Sequence, residues 1–316
     1  NVIAPGGSVI LDNRTDAGGN PIDPATYFTA GDFRGRLNED STSWRVGVDF
    51  KPSDDLLIYA NISKGYKAGS FPTSAAAVYQ GVDAVTQESL IDYEVGFKAQ
   101  LLDRKLNING AAFYYDYRDK QLRAKFVDPI FGALDRLQNV PKSEIKGAEI
   151  DITAHPVTGL TLSAAATYLD ASVKRYLGTI GFFVDDLGLR QPINASFGGG
   201  RLPFAPKFEY SLRADYNFPV SAALEGYFGA GVNGQSKSIG ILTVSPQDRE
   251  IYEIRSYALV NANAGIRAAD GRWSIGIWGK NIFNKYYWTN TVQSSDVIIR
   301  YAGRPAEYGL TLGFRY

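Results

Sequence analysis

The sequence predicts an all-β chain, a transmembrane antiparallel β-barrel of which about eleven strands are present. Three observations lead there. The 316 residues include 33 Gly, 20 Tyr, 17 Phe and 4 Trp, yet mean hydropathy is only −0.18. Several segments alternate apolar and polar residues with period two. Short turns and long connectors also follow one another in strict order. A polar average with abundant Gly and aromatics suits a membrane barrel, because only alternate residues of each strand meet lipid. Composition alone fits a soluble β-sandwich equally well. No apolar run approaches the roughly 18 residues of a membrane helix.

The alternation is plainest near the C-terminus. Tyr308, Leu310, Leu312, Phe314 and Tyr316 share one face, against Gly309, Thr311, Gly313 and Arg315. Phe208, Tyr210, Leu212, Ala214 and Tyr216 repeat it against Glu209, Ser211, Arg213 and Asp215. So do Trp44 to Phe50, Tyr93 to Phe97 and Ala148 to Ile152. Turn chemistry marks the short joins at Lys51-Pro52-Ser53-Asp54-Asp55, Leu102-Asp103-Arg104-Lys105, His155 to Gly159, Pro219 to Ala222 and Ala269-Asp270-Gly271-Arg272. The long connectors are 67–87, 126–134, 174–203, 237–253 and 286–302. A sandwich has no reason for such alternation, whereas an outer-membrane barrel has short periplasmic turns and long extracellular loops.

Counting arms between turns gives eleven: 32–51, 56–66, 88–101, 105–125, 135–155, 159–173, 204–218, 223–236, 254–268, 273–285 and 303–316. The fourth and fifth exceed the roughly 9–11 residues a bilayer requires, so their outer ends should rise above it. Bacterial single-chain barrels have even strand numbers. An odd run therefore predicts that residues 32–316 are the C-terminal half of a barrel of about 22 strands. Residues 1–31, with Pro5-Gly6-Gly7 and Gly18-Gly19-Asn20-Pro21, read as an extracellular loop segment.

Composition also excludes functions. Lys+Arg 33 against Asp+Glu 33 leaves no basic surplus for nucleic acid, so no nucleic-acid partner is expected. With no Cys and the single His155, thiolate and His-pair metal sites are excluded, and no catalytic residue, cofactor or metal is assigned. Asp185-Asp186 reads as a solvated pair and Gly198-Gly199-Gly200 as flexible loop, lacking the Lys-Ser/Thr of a phosphate loop.

Several blocks resemble the C-terminal half of TonB-dependent outer-membrane receptors. They are Tyr59 to Gly69, Tyr93-Glu94-Val95-Gly96-Phe97-Lys98, Phe113 to Tyr117, Ile145-Lys146-Gly147-Ala148-Glu149, Val260-Asn261-Ala262, Trp278 to Tyr286, and the ending Gly303 to Leu312. Two positions depart from the family pattern: Ala306 stands where Arg is usual, and Tyr316 where the terminal Phe is usual. The resemblance implies a receptor for energy-coupled uptake of a scarce solute such as an iron-siderophore complex. It implies as partners outer-membrane lipid, an N-terminal plug and the first half of the barrel, and, through the plug, an inner-membrane energy-coupling protein of the TonB type. Neither plug nor coupling box has a counterpart here. A passive porin-like channel or surface adhesin barrel is the alternative.

Loop aromatics and cations are the candidates for small-molecule substrate contact: Tyr66, Lys67, Tyr79, Arg175, Arg190, Tyr252, Arg300 and Tyr301. Such groups hold an anionic chelate or a sugar by charge-assisted bonds and ring stacking. Tyr286, Tyr287 and Trp288 read instead as part of the interfacial aromatic girdle.

Overall fold

The computed structural model describes residues 35–72, 83–128, 132–186, 188, 190–294 and 297–315. In chain order the strands are β1 Trp44–Ser53, β2 Leu56–Lys67, β3 Glu88–Leu101, β4 Leu106–Asp128, β5 Gly132–Ala154, β6 Leu160–Arg175, β7 Leu177–Val184, β8 Arg190–Ser196 and β9 Phe208–Ser221. They continue as β10 Leu224–Gln235, β11 Ser238–Ile239, β12 Glu253–Ile254, β13 Tyr257–Ala268, β14 Trp273–Lys280, β15 Trp288–Ser294, β16 Val297–Ala302 and β17 Glu307–Phe314. A short helix, Pro246–Ile251, is capped by the Ser245 side chain, which accepts from the Asp248 N–H.

Eleven of these strands form one antiparallel meander, β1-β2-β3-β4-β5-β6-β9-β10-β13-β14-β17. The sheet is open: among described residues β1 pairs only with β2, and β17 only with β14. The five short joins fall where turn chemistry predicts them, with Gly159 and Gly271 supplying the left-handed φ of +82° and +74°. The segment 1–31 and the terminal Tyr316 lie outside the described residues.

Residues directly opposite one another share a face, so the register traces each face across the sheet. Val48, Ala60, Val95, Ala112 and Ala148 are successive partners on one side. Leu212, Val232 and Val260 continue that side, as do Ile275 and Leu312. Val46 is 69 % exposed, Val95 52 % and Leu312 69 %, a continuous apolar surface of the kind that lies against lipid in a membrane barrel. The other face is polar, with Ser63 opposite Asp92, Asn61 opposite Glu94, and Ser211 opposite Asn233.

The register also explains the Gly and aromatic content. Tyr59 faces Gly96, Phe97 faces Gly110, Phe113 faces Gly147 and Trp278 faces Gly309, each ring lying where a Cβ on the glycine would be. The ring covers backbone that the glycine leaves bare.

Two expectations are corrected. The connector 126–134 is no long loop, because β4 and β5 pair without interruption from Arg123↔Leu137 to Asp128↔Gly132. Lys125 Nζ meets Asp135 at 3.1 Å, and the Arg136 guanidinium lies 4.8 Å from the Phe126 ring centre, so side chains also join the two strands across the hairpin. Each arm has 23 residues, about 75 Å at roughly 3.3 Å per residue, far beyond a bilayer. Gly198 to Gly200 are likewise no free loop. Val173 N–H donates to Gly200 O at 2.8 Å and Gly199 N–H to Val173 O at 2.9 Å.

The other connectors fold as well. β7 and β8 form a hairpin that touches β4 through Lys125↔Thr179, and β15 and β16 form another. The buried apolar cluster lies at this loop end, where Ala124, Val140, Val173, Tyr176, Phe197, Leu202 and Leu242 meet. Elsewhere the sheet is one layer thick, and the band described above takes the place of a core.

Candidate functional site

The polar face is built differently in its two halves. On β2 to β5 Glu94 accepts from Asn61 Nδ2 at 3.3 Å. Ser63 Oγ donates to Asp92 Oδ2 at 3.3 Å, while Asp92 Oδ1 is buried with no partner among the described residues. Phe113 and Tyr115 stack at 4.7 Å beside these acids, and Glu149 faces the same way from β5. Carboxylates here outnumber the cations that face them.

On β9 to β14 two arginines meet carboxylates within the wall. Arg213 Nε donates to Asp215 at 2.6 Å, and Arg267 Nε to Glu225 at 2.8 Å. Arg213 and Asp215 lean with Asn263 over Gly229, occupying the place a Cβ would take. That glycine gives room to its own neighbours.

At the loop end cations lie repeatedly over rings. Lys120 Nζ is 4.0 Å from the Tyr117 ring centre, Arg190 is 5.6 Å from Phe182, and Trp288 takes both Arg300 at 4.6 Å and Arg255 at 5.4 Å. Burial pushes the Lys120 ammonium and the Arg136 guanidinium below their ordinary pKa ranges. Arg136 Nε and Nη1 are buried without a hydrogen-bond partner among the described residues. This end therefore offers cationic and aromatic groups to a ligand that is anionic and flat.

The structure brings some predicted contact residues together and separates others. Tyr252 is 4 % exposed, and its hydroxyl donates to Gln293 Oε1 at 2.8 Å. Arg300 Nη2 donates to Ile251 O at 3.0 Å, so Tyr252, Arg300 and the half-exposed Tyr301 belong to one pair of joined loops. Arg190 opens β8 on a different hairpin. Arg175 stands in a bulge with Lys174 opposite Lys142. Tyr66 shares the face of Ile62, under Lys64 at 5.2 Å, whereas Lys67 shares the face of Ser63. Tyr79 lies outside the described residues. Asp185 Oδ2 accepts from Gln191 Nε2 at 2.8 Å.

Sequence reading missed the Lys120–Tyr117 and Arg136–Phe126 pairs and read Trp288 as girdle. The missing signal is at Asp119, whose φ of +52° breaks the period-two pattern. A Lys-rich run on a strand cannot be assigned to one face once such a break intervenes.

An open antiparallel sheet, apolar on one face and polar on the other, defines the wall of a membrane β-barrel. Residues 12–282 match the family described as TonB dependent receptor-like, beta-barrel, and the chain belongs to it. Among its curated relatives, the ferric-pyoverdine M114 receptor PbuA of Pseudomonas sp. (strain M114) is 26 % identical over 247 residues, covering 77 % of this chain and 26 % of that protein. The pesticin receptor of Yersinia pestis is 21 % identical over 262 residues, covering 81 % and 33 %. The crystal structure of the ferric yersiniabactin uptake receptor FyuA from Yersinia pestis superimposes with a TM-score of 0.64 at 17 % identity, over 84 % of this chain and 36 % of that one. That of the siderophore receptor PiuA from Acinetobacter baumannii gives 0.63 at 21 % identity, over 87 % and 36 %. The chain thus spans about a third or less of these relatives' length. Its family places it in the outer membrane.

Proposed function

We propose that this chain is half of the barrel of an outer-membrane receptor that takes up a ferric siderophore by energy-coupled transport. The open sheet is the observation that carries this reading. Unpaired backbone along β1 and β17 cannot remain in hydrocarbon, so further strands must close both edges. About eleven more strands would complete a 22-stranded barrel, which is too wide for side chains to fill and needs a plug. The acidic inner face of β2 to β5, with Asp92 Oδ1 unpartnered, suits cationic groups of that plug. The plug in turn would engage an inner-membrane protein of the TonB type. The cation–ring pairs of the loops suit an anionic iron chelate, and the relatives named for siderophore receptors support the same substrate class.

The test is uptake of radiolabelled ferric chelates by iron-starved cells with and without the full-length gene. Uptake that requires the gene and stops on adding an uncoupler supports the reading. Gene-dependent uptake that ignores the uncoupler would establish a passive channel instead, and no gene-dependent uptake of any chelate would remove the substrate class.

A further inference from the structure

At the loop end, β8 and β16 each pair with a single neighbour among the described residues, and the sequence treats the two open edges differently. β8 carries Pro192, which has no N–H to offer a further strand. β16 runs Val297-Ile298-Ile299-Arg300-Tyr301-Ala302, with no Pro and with β-branched residues at its first three positions. Its one charge is engaged elsewhere, since Arg300 Nη2 donates to Ile251 O at 3.0 Å. An edge that ends in water is normally blunted by Pro, by free charge or by a cover. β16 lacks the first two and therefore calls for the third.

The hairpin that carries β16 is fixed in place. At its base the buried Asn281 donates from Nδ2 to Lys285 O at 3.0 Å and to Arg304 O at 3.1 Å, and its Oδ1 accepts from the Lys285 N–H at 2.8 Å. Asn284 Oδ1 accepts from the Ala306 N–H at 3.0 Å, and the Gly303 N–H donates to Tyr287 O at 2.9 Å. These bonds mount β15 and β16 on the loop ends of β14 and β17. Thr291, Gln293, Ile298 and Arg300 share one face of the hairpin, and that face packs on the loop 237–253. There Thr291 is buried where Gly240 approaches it, and Gln293 accepts from Tyr252. The other face carries Val292, Val297, Ile299 and Tyr301. It lies open, with Val297 56 % exposed and Tyr301 50 %. Even Ile298, on the packed face, stays 39 % exposed along the free edge. Apolar side chains bare on both faces of one strand are what a missing lateral neighbour leaves behind.

The place of that neighbour follows from β17. On the proposed reading a strand of the missing half pairs antiparallel with the open edge of β17, and so reaches the loop end beside the mounted hairpin. We infer that the connector at the loop end of this strand adds an extended segment to β16, closing the barrel a second time above the bilayer. The segment offers backbone N–H and C=O groups to the edge and alternate apolar side chains to Val297, Ile299 and Tyr301. Tyr301, predicted from sequence as a substrate contact, belongs to this face. The pairing ties the loops of both halves into one collar and holds Trp288, with Arg255 and Arg300 over it, at the mouth. The inference rests on the half-barrel reading and not on the transported solute.

The test replaces Val297 or Ile299 of the full-length receptor by the photo-cross-linker benzoylphenylalanine in intact cells and maps the cross-linked peptides by mass spectrometry. Both positions should reach the same polypeptide, in the connector at the loop end of the strand next to β17. The same group in place of Ile193, on the Pro-blunted β8, should not reach it. Hydrogen exchange gives the second readout. Val297→Asp with Ile299→Asp should speed exchange about ten-fold or more in peptides covering 297–302 and in that connector together, with β14 and β17 unchanged. Val297→Ile with Ile299→Val, which keeps the face apolar, should exchange as the parent does. The inference is overturned by cross-links to a second copy or to another protein, by no cross-link at all, or by exchange that rises at 297–302 and not in the connector. Protection that appears only on adding a ferric chelate would overturn it too, since the ligand would then be the cover. Benzoylphenylalanine in place of Leu310 on β17 reads closure within the bilayer separately. If it reaches no upstream strand, the half-barrel reading falls and this inference with it; if it does while β16 stays unlinked, this inference falls alone.

Discussion

The half of the sheet from β1 to β6 and the half from β9 to β17 have the same apolar band and the same hairpin architecture, yet they treat charge oppositely. In the second half two pairs of inner-face charges meet within the wall, Arg213 with Asp215 and Arg267 with Glu225, and the outward positions nearest the loops, Phe208, Ser236, Ala258 and Tyr308, are uncharged. In the first half Asp92, Glu94 and Glu149 face inward beside too few cations, while outward Lys146 stands directly opposite Asp170 and Lys64 lies over the Tyr66 ring.

The comparison can be broken most severely at the band, where the halves should behave alike. Val95→Arg and Leu312→Arg should each cost about 2–4 kcal/mol near the midplane in equilibrium folding of the full-length receptor into bilayers. A large cost at one and none at the other would mean that only one half faces lipid. At the inner face the halves should part. Glu94→Gln with Glu149→Gln should weaken docking of the proposed plug by ~2 kcal/mol or more, by removing two carboxylates that would receive its cations, with little effect on barrel folding. Glu225→Gln, in a half-exposed pair, should shift stability by no more than about 1 kcal/mol and leave docking intact. Proteolytic release of the plug reads the first effect, and a folding titration the second.

Gly96→Ala and Gly309→Ala test whether ring-over-glycine pairing is common to both halves. A Cβ at either position meets the opposing Tyr59 or Trp278 ring, so each should cost about 1–3 kcal/mol as overpacking. Tyr59→Ala in the Gly96→Ala background should recover part of that cost. The smallest effect is at the loops. Trp288→Ala removes the ring under Arg255 and Arg300 and should weaken ferric-chelate binding by about 0.5–1 kcal/mol, measured by fluorescence quenching, without altering barrel yield.

The strands, their faces and the places of the turns were legible because water and hydrocarbon impose opposite demands on successive residues wherever a strand crosses the bilayer. Ile275, Ile277, Leu310 and Leu312 alternate with polar or glycine neighbours for that reason alone. Above the bilayer both faces meet water or other loops, and the constraint disappears. Phe126, Val127 and Asp128 therefore read as connector, although they pair residue by residue with β5.

Within the candidate site, Arg190, Arg300 and Tyr301 were legible as loop cations and aromatics, but their neighbours were not. That Arg300 and Arg255 share the ring of Trp288, or that Tyr252 is buried against Gln293, depends on loops about 40 residues apart folding onto one another. Local sequence thus determined the class of wall, through alternation and turn chemistry that act over a few residues. Only the tertiary structure decided register, and with it the acids brought together on the inner face and the sides of the sheet to which Tyr66 and Lys67 part. A one-residue change in pairing would have reversed every one of those assignments without changing the pattern that predicted the strands.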